Sequence, residues 1–293
     1  MRVPAQCPQC RQGYEQRQSM YEVSSGARGR ELPVVSVKEM DAADVHSGKL
    51  TLSCREGHET VVTLSIPAFE LLFDFGCSAL LDGYPREAIT TFASSFERFQ
   101  EFTCRFLLAR RNVDPEGVDH WWKEVSRQSE RQMGSFLALW ITEFRSEPPA
   151  LPNPLIALRN SCVHRGRIPP DSEAKAYGEA VLRAEVGGIV ALRNCFDSAL
   201  DYDNFVDYHI IRPGENEPLL MSFLEHTVIS GMWRPNEPRP DTPEAAEDQA
   251  AEDEEWGFQI DRTDKNTTDP TRLTMDRALQ VFAGLRAFGV RRT

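Results

Sequence analysis

The chain has 293 residues, of which 41% are hydrophobic and 27% charged, so it is long enough to bury the core of one large domain or two smaller ones. No stretch approaches the roughly eighteen uninterrupted apolar residues that a membrane-spanning helix requires, and Met1–Pro4 is not followed by the apolar region of a secretory signal. The odd number of cysteines, seven, argues against a disulfide framework, and we expect a cytoplasmic protein.

The net charge of −12 at pH 7 is unevenly distributed along the chain. Between Pro235 and Gly257, nine acidic residues and one arginine carry −8 of it, so the remaining sequence is only mildly acidic. This distribution argues against strong bulk attraction to long duplex DNA. It is compatible with a small basic pocket that binds a single phosphate.

The first 66 residues are predicted to form a small β-rich unit. Short runs rich in β-branched residues occur at 33–37, 49–53 and 60–64, and polar stretches separate them. Each run has the length of a single strand. We therefore expect three strands here, ahead of a helical region that begins at Pro67.

Two short motifs in this unit carry metal-ligand residues. Cys7 and Cys10 lie close together, as do Cys54 and His58. Three thiolates and one imidazole form a tetrahedral donor set that Zn²⁺ prefers, and ligand pairs on two turns commonly close a small unit without a large core. Because protein ligands would fill all four positions, we expect a structural zinc ion. The alternative is a redox pair at Cys7 and Cys10, but no thioredoxin-like pattern surrounds them.

Helices are predicted for most of the region from Pro67 to residue 205. Apolar residues recur at helical spacing, and prolines and glycines mark the starts and ends. Short connectors between amphipathic helices favour an antiparallel bundle, because each apolar face must be buried against a neighbour. We therefore expect a mainly α fold. The predicted helical segments are 67–83, 85–111, 114–148, 153–166 and 171–200.

The C-terminal part of the chain has a mixed pattern. No element is assigned between Tyr208 and Trp233, and the acidic stretch 235–257 is too polar to form a core, which predicts a linker. Beyond it, Met275, Leu279 and Phe282 share one face of a predicted terminal helix. The predicted organisation is a zinc-ribbon-like unit at 1–66, a helical domain at 67–234, the linker at 235–257 and a C-terminal segment at 258–293.

A short motif in the fourth predicted helical segment carries the candidate chemistry. Arg159 is followed by Asn160, three further residues and His164. This pattern resembles the signature of the HEPN superfamily, and Leu80–Ala88 followed by Ser95–Arg98 looks like the helix pair that precedes the motif in that family. The resemblance covers residues 67 to 205. It implies a helical bundle that forms a composite ribonuclease site in a dimer, although some HEPN domains are not nucleases.

The residue types of the motif suit the cleavage of RNA through its own 2′-hydroxyl. That reaction needs a group that moves a proton near neutral pH and a group that stabilises charge on the phosphate oxygens. His164 suits the first task, since the ordinary pKa of histidine is about 6.5. Arg159 suits the second, because its guanidinium stays charged and offers a fork of donors to phosphate. No catalytic metal ion is required.

Helix geometry separates the two residues within one chain. Arg159 and His164 are five positions apart and diverge by about 140°, whereas Asn160 and His164 diverge by only about 40°. A twofold dimer would bring arginine and histidine from opposite subunits into one cleft. Asn160 is then placed to orient His164 or the facing arginine, and Glu97, on the preceding long helix, is expected to hold Arg159 in place.

A structural role for the same residues is the alternative. Arg159, His164 and Arg165 lie near the end of a helix that stops at Gly166, where cations complement the helix dipole. Similarly, Trp121 and Trp122 have the ring faces needed to stack on bases, but we expect them to pack in the core.

Three functions therefore stay open at the sequence level. The first is a metal-independent, homodimeric endoribonuclease that cleaves tRNA or other single-stranded RNA loops, similar to HEPN toxins and antiviral abortive-infection effectors, with a regulatory protein partner to hold it inactive. The second is a non-catalytic dimer whose zinc unit binds a protein or nucleic acid. The third is a nucleotide-binding subunit that works beside a nucleotidyltransferase.

Overall fold

A computed structural model describes residues 2–6, 35–39, 48–53, 56–64, 66–197, 199–212, 219–220, 227–229 and 273–291. Helices predominate, which confirms the expected mainly α fold. None of the helices in these ranges is long and apolar enough to span a membrane. The predicted linker at 235–257 and three of the predicted zinc ligands lie outside the described residues.

The described strands form two small sheets. In the first, β1 (Arg2–Gln6) pairs antiparallel with β2 (Val35–Glu39). In the second, β3 (Lys49–Ser53) pairs antiparallel with β4 (Glu59–Leu64), and β5 (Leu219–Leu220) adds to β4 in parallel. The strand β3 has the predicted bounds and β4 begins one residue early, while β2 begins two residues beyond the predicted start. The polar, proline-containing strand β1 gave no sequence signal.

Helices fill most of the remaining described chain. They are α1 (Ala68–Leu81), α2 (Pro85–Arg110), α3 (Pro115–Val125), α4 (Ser129–Phe144), α5 (Asn153–Arg165), α6 (Asp171–Arg193), α7 (Ala199–Phe205), which continues as a π-helical turn (Val206–Ile211), and α8 (Met275–Arg291). Gly83, at φ +80°, makes the tight turn from α1 to α2, a conformation that glycine adopts without strain. Pro85 then begins α2, as the sequence predicted.

Two of the predicted helical segments are interrupted. The segment 114–148 is two helices, because Gln128 has an extended backbone and the side chain of Gln132 donates a hydrogen bond to the Ser126 carbonyl at 3.1 Å, which stabilises the break. The segment 171–200 ends at Arg193 rather than Leu200. The continuous-helix predictions were therefore wrong at these two points.

The core is built around α2, which contacts α1, α4, α5 and α6. Its phenylalanines Phe92, Phe99 and Phe106 are fully buried. Gly188 of α6 lets that helix approach closely, since a Cβ at this position would lie 2.2 Å from Cζ of Phe99. A large, contiguous aromatic core of this kind holds α2 and the helices around it in fixed positions.

The predicted terminal helix is present as α8, and it packs on the bundle. Met275, Ala278, Leu279 and Phe282 are buried, and α8 contacts α1 and α6. At its start, the backbone N–H of Met275 donates to Oε2 of Glu179 at 3.1 Å. The C-terminal segment therefore contributes to the same core as the central helices.

Candidate functional site

The Arg-Asn-x-x-x-His motif lies on α5, a helix that packs across α2. Leu158 and Cys162 form its buried face, and Nε of Arg86 on α2 donates to the Cys162 carbonyl at 3.1 Å. Gly166 ends the helix at φ +66°, which again suits glycine. One end of α5 is therefore fixed against α2 by both packing and a hydrogen bond.

Arg159 is held by the carboxylate that the sequence analysis selected for it. Nη2 of Arg159 lies 3.1 Å from Oε1 of Glu97 on α2, and the two side chains are 30% and 33% exposed. Nη1 donates to Oδ1 of Asn160 at 3.2 Å. The expected Glu97–Arg159 contact is confirmed, and Asn160 contacts the arginine of its own chain. The guanidinium is thus fixed at the surface and retains further N–H donors, since an arginine carries five.

His164 lies on the exposed side of α5 and is itself exposed. It makes no hydrogen bond or ion pair within the described part of the chain, and the helical offset of about 140° from Arg159 directs the two side chains apart. One chain therefore holds Arg159 in position and leaves His164 accessible. It does not bring the two groups together.

An apolar stripe runs along the same exposed face of α5. Ile156 is 40% exposed and Val163 39%, and Asn160 and His164 lie between and beside them. Ile168, just beyond the helix, is 77% exposed. Exposed branched aliphatic side chains that cluster beside polar groups are typical of surfaces that bind another protein.

The end of α5 is capped by backbone groups. The N–H groups of Gly166 and Arg167 both donate to the Ser161 carbonyl, the second at 3.2 Å. His164 and Arg165 make no such contact within the described residues. A role for these two side chains as hydrogen-bonding caps is therefore not observed, although the positive charge of Arg165 complements the helix dipole.

Tyr177 of α6 lies beneath the site and was not predicted. It is 2% exposed, and burial raises the pKa of its hydroxyl above the ordinary value, against the lowering effect of the positive Arg159. The hydroxyl therefore stays protonated at neutral pH. Tyr177 occupies an apolar position of an ordinary helical pattern, so the sequence did not indicate that it lies beneath Arg159.

The predicted zinc site lies largely outside the described residues. His58 is described and half-buried directly before β4, whereas Cys7, Cys10 and Cys54 are not described. Cys7 follows the last residue of β1, and Cys54 follows the last residue of β3. Within the described ranges, which do not include three of the four predicted ligands, no group of three metal-ligating side chains occurs. The zinc site stays a prediction.

The tryptophan pair packs as expected. Trp122 is 5% exposed and belongs to the core, and the ring of Trp121 lies 5.5 Å from it. The guanidinium of Arg105 lies 5.7 Å from the centre of the Trp122 ring, which is a cation–π contact. Both rings therefore pack against other side chains of the fold, as expected, in place of stacking on bases.

Comparisons with protein-family models, with curated proteins and with solved structures find no match for this chain. The function is therefore inferred from the residues of the chain itself and from their geometry.

Proposed function

We propose that the chain is a metal-independent endoribonuclease of the HEPN type that acts as a homodimer on single-stranded RNA, such as tRNA loops. The observation that carries the proposal is the Glu97–Arg159 ion pair, which fixes a guanidinium at the surface of the same short helix that exposes His164. A permanent cation and a titratable ring are the two groups that cleavage through the 2′-hydroxyl requires.

The chemistry follows from these groups. The 2′-oxygen attacks phosphorus as His164 accepts the hydroxyl proton, and the 5′-oxygen leaves with a proton returned to it, so the products are a 2′,3′-cyclic phosphate and a 5′-hydroxyl end. Arg159 stabilises the charge on the non-bridging oxygens. Glu97 and Asn160 position Arg159 through its two Nη atoms.

A second copy of the chain completes the site. Because Arg159 and His164 diverge on one helix, the arginine of one protomer would face the histidine of the other when two α5 helices meet across a twofold axis. Ile156 and Val163, which are exposed on that face, would be buried in the contact. The exposed stripe is thus both the dimer surface and the floor of the cleft.

The rest of the chain fits accessory roles in this proposal. A structural Zn²⁺ held by Cys7, Cys10, Cys54 and His58 would stabilise an N-terminal unit that recognises RNA or a regulatory partner. An enzyme that cleaves essential RNA must be kept inactive until it is needed. We therefore place the protein among cytoplasmic toxins or antiviral effectors, in agreement with the family that its motif resembles.

Growth on expression tests the proposal. The wild type is expected to arrest growth and to leave RNA fragments with cyclic phosphate ends, because Arg159 and His164 act together. Arg159→Ala and His164→Ala are expected to abolish both effects at unchanged folding. The matched control is Arg167→Ala, which removes a nearby exposed arginine paired with Glu173 at 2.8 Å. Equal behaviour of all four proteins would contradict the ribonuclease function.

A non-catalytic dimer is the second candidate, and the exposed apolar stripe of α5 favours it equally. In that case the stripe would bind a second copy while RNA stayed intact. The two candidates separate in a single experiment, because Val163→Asp would disrupt the dimer in both but would abolish RNA cleavage only in a ribonuclease.

A further inference from the structure

A cavity of about 460 Å³ opens between the C-terminal end of α2, the first turn of α3 and the π-helical turn after α7. Its volume falls within the range of small-molecule sites, which is roughly 300–1,000 Å³. Its lining does not include Arg159 or His164. The sequence predicted no helix or strand for the residues from Tyr208 onwards, which form part of its wall.

An unusual backbone builds one wall of the cavity. Val206–Ile211 form a π-helical turn, and Arg212, which ends it, has a φ of 50°. Such turns occur frequently at functional sites, and a left-handed arginine costs free energy that the surroundings must offset. An ion pair with Asp119 offsets this cost, since Nη2 of Arg212 lies 3.1 Å and 3.2 Å from the two carboxylate oxygens of Asp119.

Two aromatic side chains of the π turn line the cavity. Tyr208 is 82% exposed, and its neighbour His209 is also exposed. The His209 ring is supported from behind by Phe205, with 4.5 Å between ring centres. A tyrosine this exposed offers a ring face to a ligand at little conformational cost, since only two side-chain torsions must be fixed.

The charges around the cavity are compensated. Asp119 accepts hydrogen bonds from Arg105 at 2.6 Å and from Arg212. Burial raises the pKa of Asp119, but these two hydrogen bonds outweigh it and hold the pKa below the ordinary value, so the carboxylate is charged. With Asp114 also on the wall, a free phosphate would gain little attraction here. The site therefore suits a ligand with little charge of its own.

Apolar and polar groups alternate on the remaining wall. Val113 is 40% exposed, and Asn112 and Asp114 flank it with an amide and a carboxylate. Oδ2 of Asp114 accepts the Gly117 N–H at 3.0 Å, which fixes the side chain while the other oxygen stays available. A planar, mostly neutral ring with donors and acceptors on its edge matches this surface.

We propose that this cavity binds an unpaired nucleobase of the RNA substrate, with its ring stacked on Tyr208 and its polar edge against Asn112 and Asp114. The inference rests on the proposed ribonuclease function and gives it a base-recognition subsite. Glu97, which holds Arg159, and Arg105, which lines the cavity, are separated along α2 by about 12 Å of helix rise and about 80° of rotation, so both sites adjoin the same part of this helix. Stacking of single-stranded bases on exposed aromatic rings is the usual mode of RNA recognition.

Calorimetric titration with adenosine, guanosine, cytidine and uridine tests base binding directly, with inorganic phosphate as a further ligand. Tyr208→Ala should weaken nucleoside binding roughly tenfold, as expected for one stacked base, and Tyr208→Phe should retain it. Tyr84→Ala, which removes a tyrosine that is 60% exposed at the other end of α2, should have no effect. Binding that is unchanged in Tyr208→Ala, or that phosphate alone displaces, would overturn the assignment.

Cleavage of a single-stranded RNA separates this inference from the function on which it rests. If the wild type cleaves, Tyr208→Ala should raise KM roughly tenfold at unchanged kcat. Equal KM values would overturn the subsite and leave the ribonuclease intact. If the wild type cleaves no RNA, the proposed function fails and the RNA subsite fails with it, whereas nucleoside binding that depends on Tyr208 would still establish a base-binding cavity.

Discussion

At the scale of single residues, the position of Arg159 depends on Glu97. The pair joins α5 to α2 across 3.1 Å, and both side chains are about one-third exposed. Ion pairs with this exposure typically contribute about 0–1 kcal/mol to stability. The carboxylate is therefore more important for aiming the guanidinium than for holding the fold together.

Replacing Glu97 tests this positioning role. We expect Glu97→Ala to lower kcat for RNA cleavage on the order of tenfold, because Arg159 loses one of its two anchors, while the free energy of unfolding changes by less than about 1 kcal/mol. Glu97→Gln, which still accepts a hydrogen bond, should recover part of the loss. Glu124→Ala serves as the control, because it breaks a comparable exposed pair with Arg127 at 3.0 Å. Wild-type kcat in Glu97→Ala would refute the role.

The contact between Glu97 and Arg159 was predictable, but the neighbours of the site were not. Arg159 and His164 are chemically distinctive residues at a recognisable spacing, and Glu97 is an acidic residue on the long helix that precedes them, so sequence sufficed to propose them as candidates. Tyr177 and Tyr208 are ordinary residues in their local patterns. Their positions depend on how α6 and the π turn pack, which is a tertiary property that local sequence does not encode.

At the scale of elements, α1 and α6 share a cluster of buried carboxyl groups whose burial was not predicted from the sequence. Asp74 and Glu185 are completely buried, and Oδ2 of Asp74 and Oε2 of Glu185 have no hydrogen-bond partner among the described residues. Their other oxygens accept from the Val228 N–H at 3.0 Å and from the Ser95 hydroxyl at 2.8 Å. Burial raises the pKa of both groups well above the ordinary value, and the charge of Glu70 raises it further.

These pKa values make stability depend on pH. A raised pKa in the folded state favours the protonated form there, so the contribution is complete below the unfolded pKa of about 4 and is lost as pH rises towards the folded pKa. We expect urea unfolding to show a free energy that falls as pH increases above about 4, towards the folded-state pKa values. Asp74→Asn and Glu185→Gln should flatten this decline, because each amide keeps the existing acceptor oxygen. Glu147→Gln, at an exposed position, should leave the slope unchanged.

If both buried-site variants retained the full slope above about pH 4, these carboxyl groups would not be the cause of the pH dependence. Periodicity predicted that α1 and α6 are buried, but it treats an acidic residue as solvent-facing. A buried carboxyl group therefore escapes any prediction from amphipathic pattern alone.

At the scale of the whole molecule, a single hydrophobic core joins the central helices to α8. The mainly α fold and the terminal helix were predictable from apolar spacing, because that spacing is strong over long segments. The breaks at Val125 and Arg193 were not, and the hydrogen bond from the Gln132 side chain to the Ser126 carbonyl, which stabilises the first break, is not evident from apolar spacing. Assembly into a dimer and binding of zinc concern the molecule as a whole, and both stay predictions.

Zinc content is testable on the intact protein. We expect about one Zn²⁺ per chain, and a chelator should lower Tm because structural zinc stabilises the unit that binds it. Cys7→Ser and Cys54→Ser should each reduce the zinc content, whereas Cys195→Ser, a half-buried thiol of the helical region, should not. Zinc-free protein with an unchanged Tm in both ligand variants would exclude the site. Rapid loss of cleavage on adding EDTA, while the protein stays folded and zinc-bound, would contradict the metal-free mechanism.

The proposed cleft takes Arg159 from one protomer and His164 from the other, and dimers that mix two inactive variants test this arrangement. Arg159→Ala and His164→Ala chains should each be inactive alone, and when they are mixed, unfolded and refolded together, RNA cleavage should return to about one quarter of the wild-type rate. Half of the random dimers are then mixed, and one of the two sites in each is intact. Mixed dimers that form but cleave no RNA, or activity in either variant alone, would contradict the account.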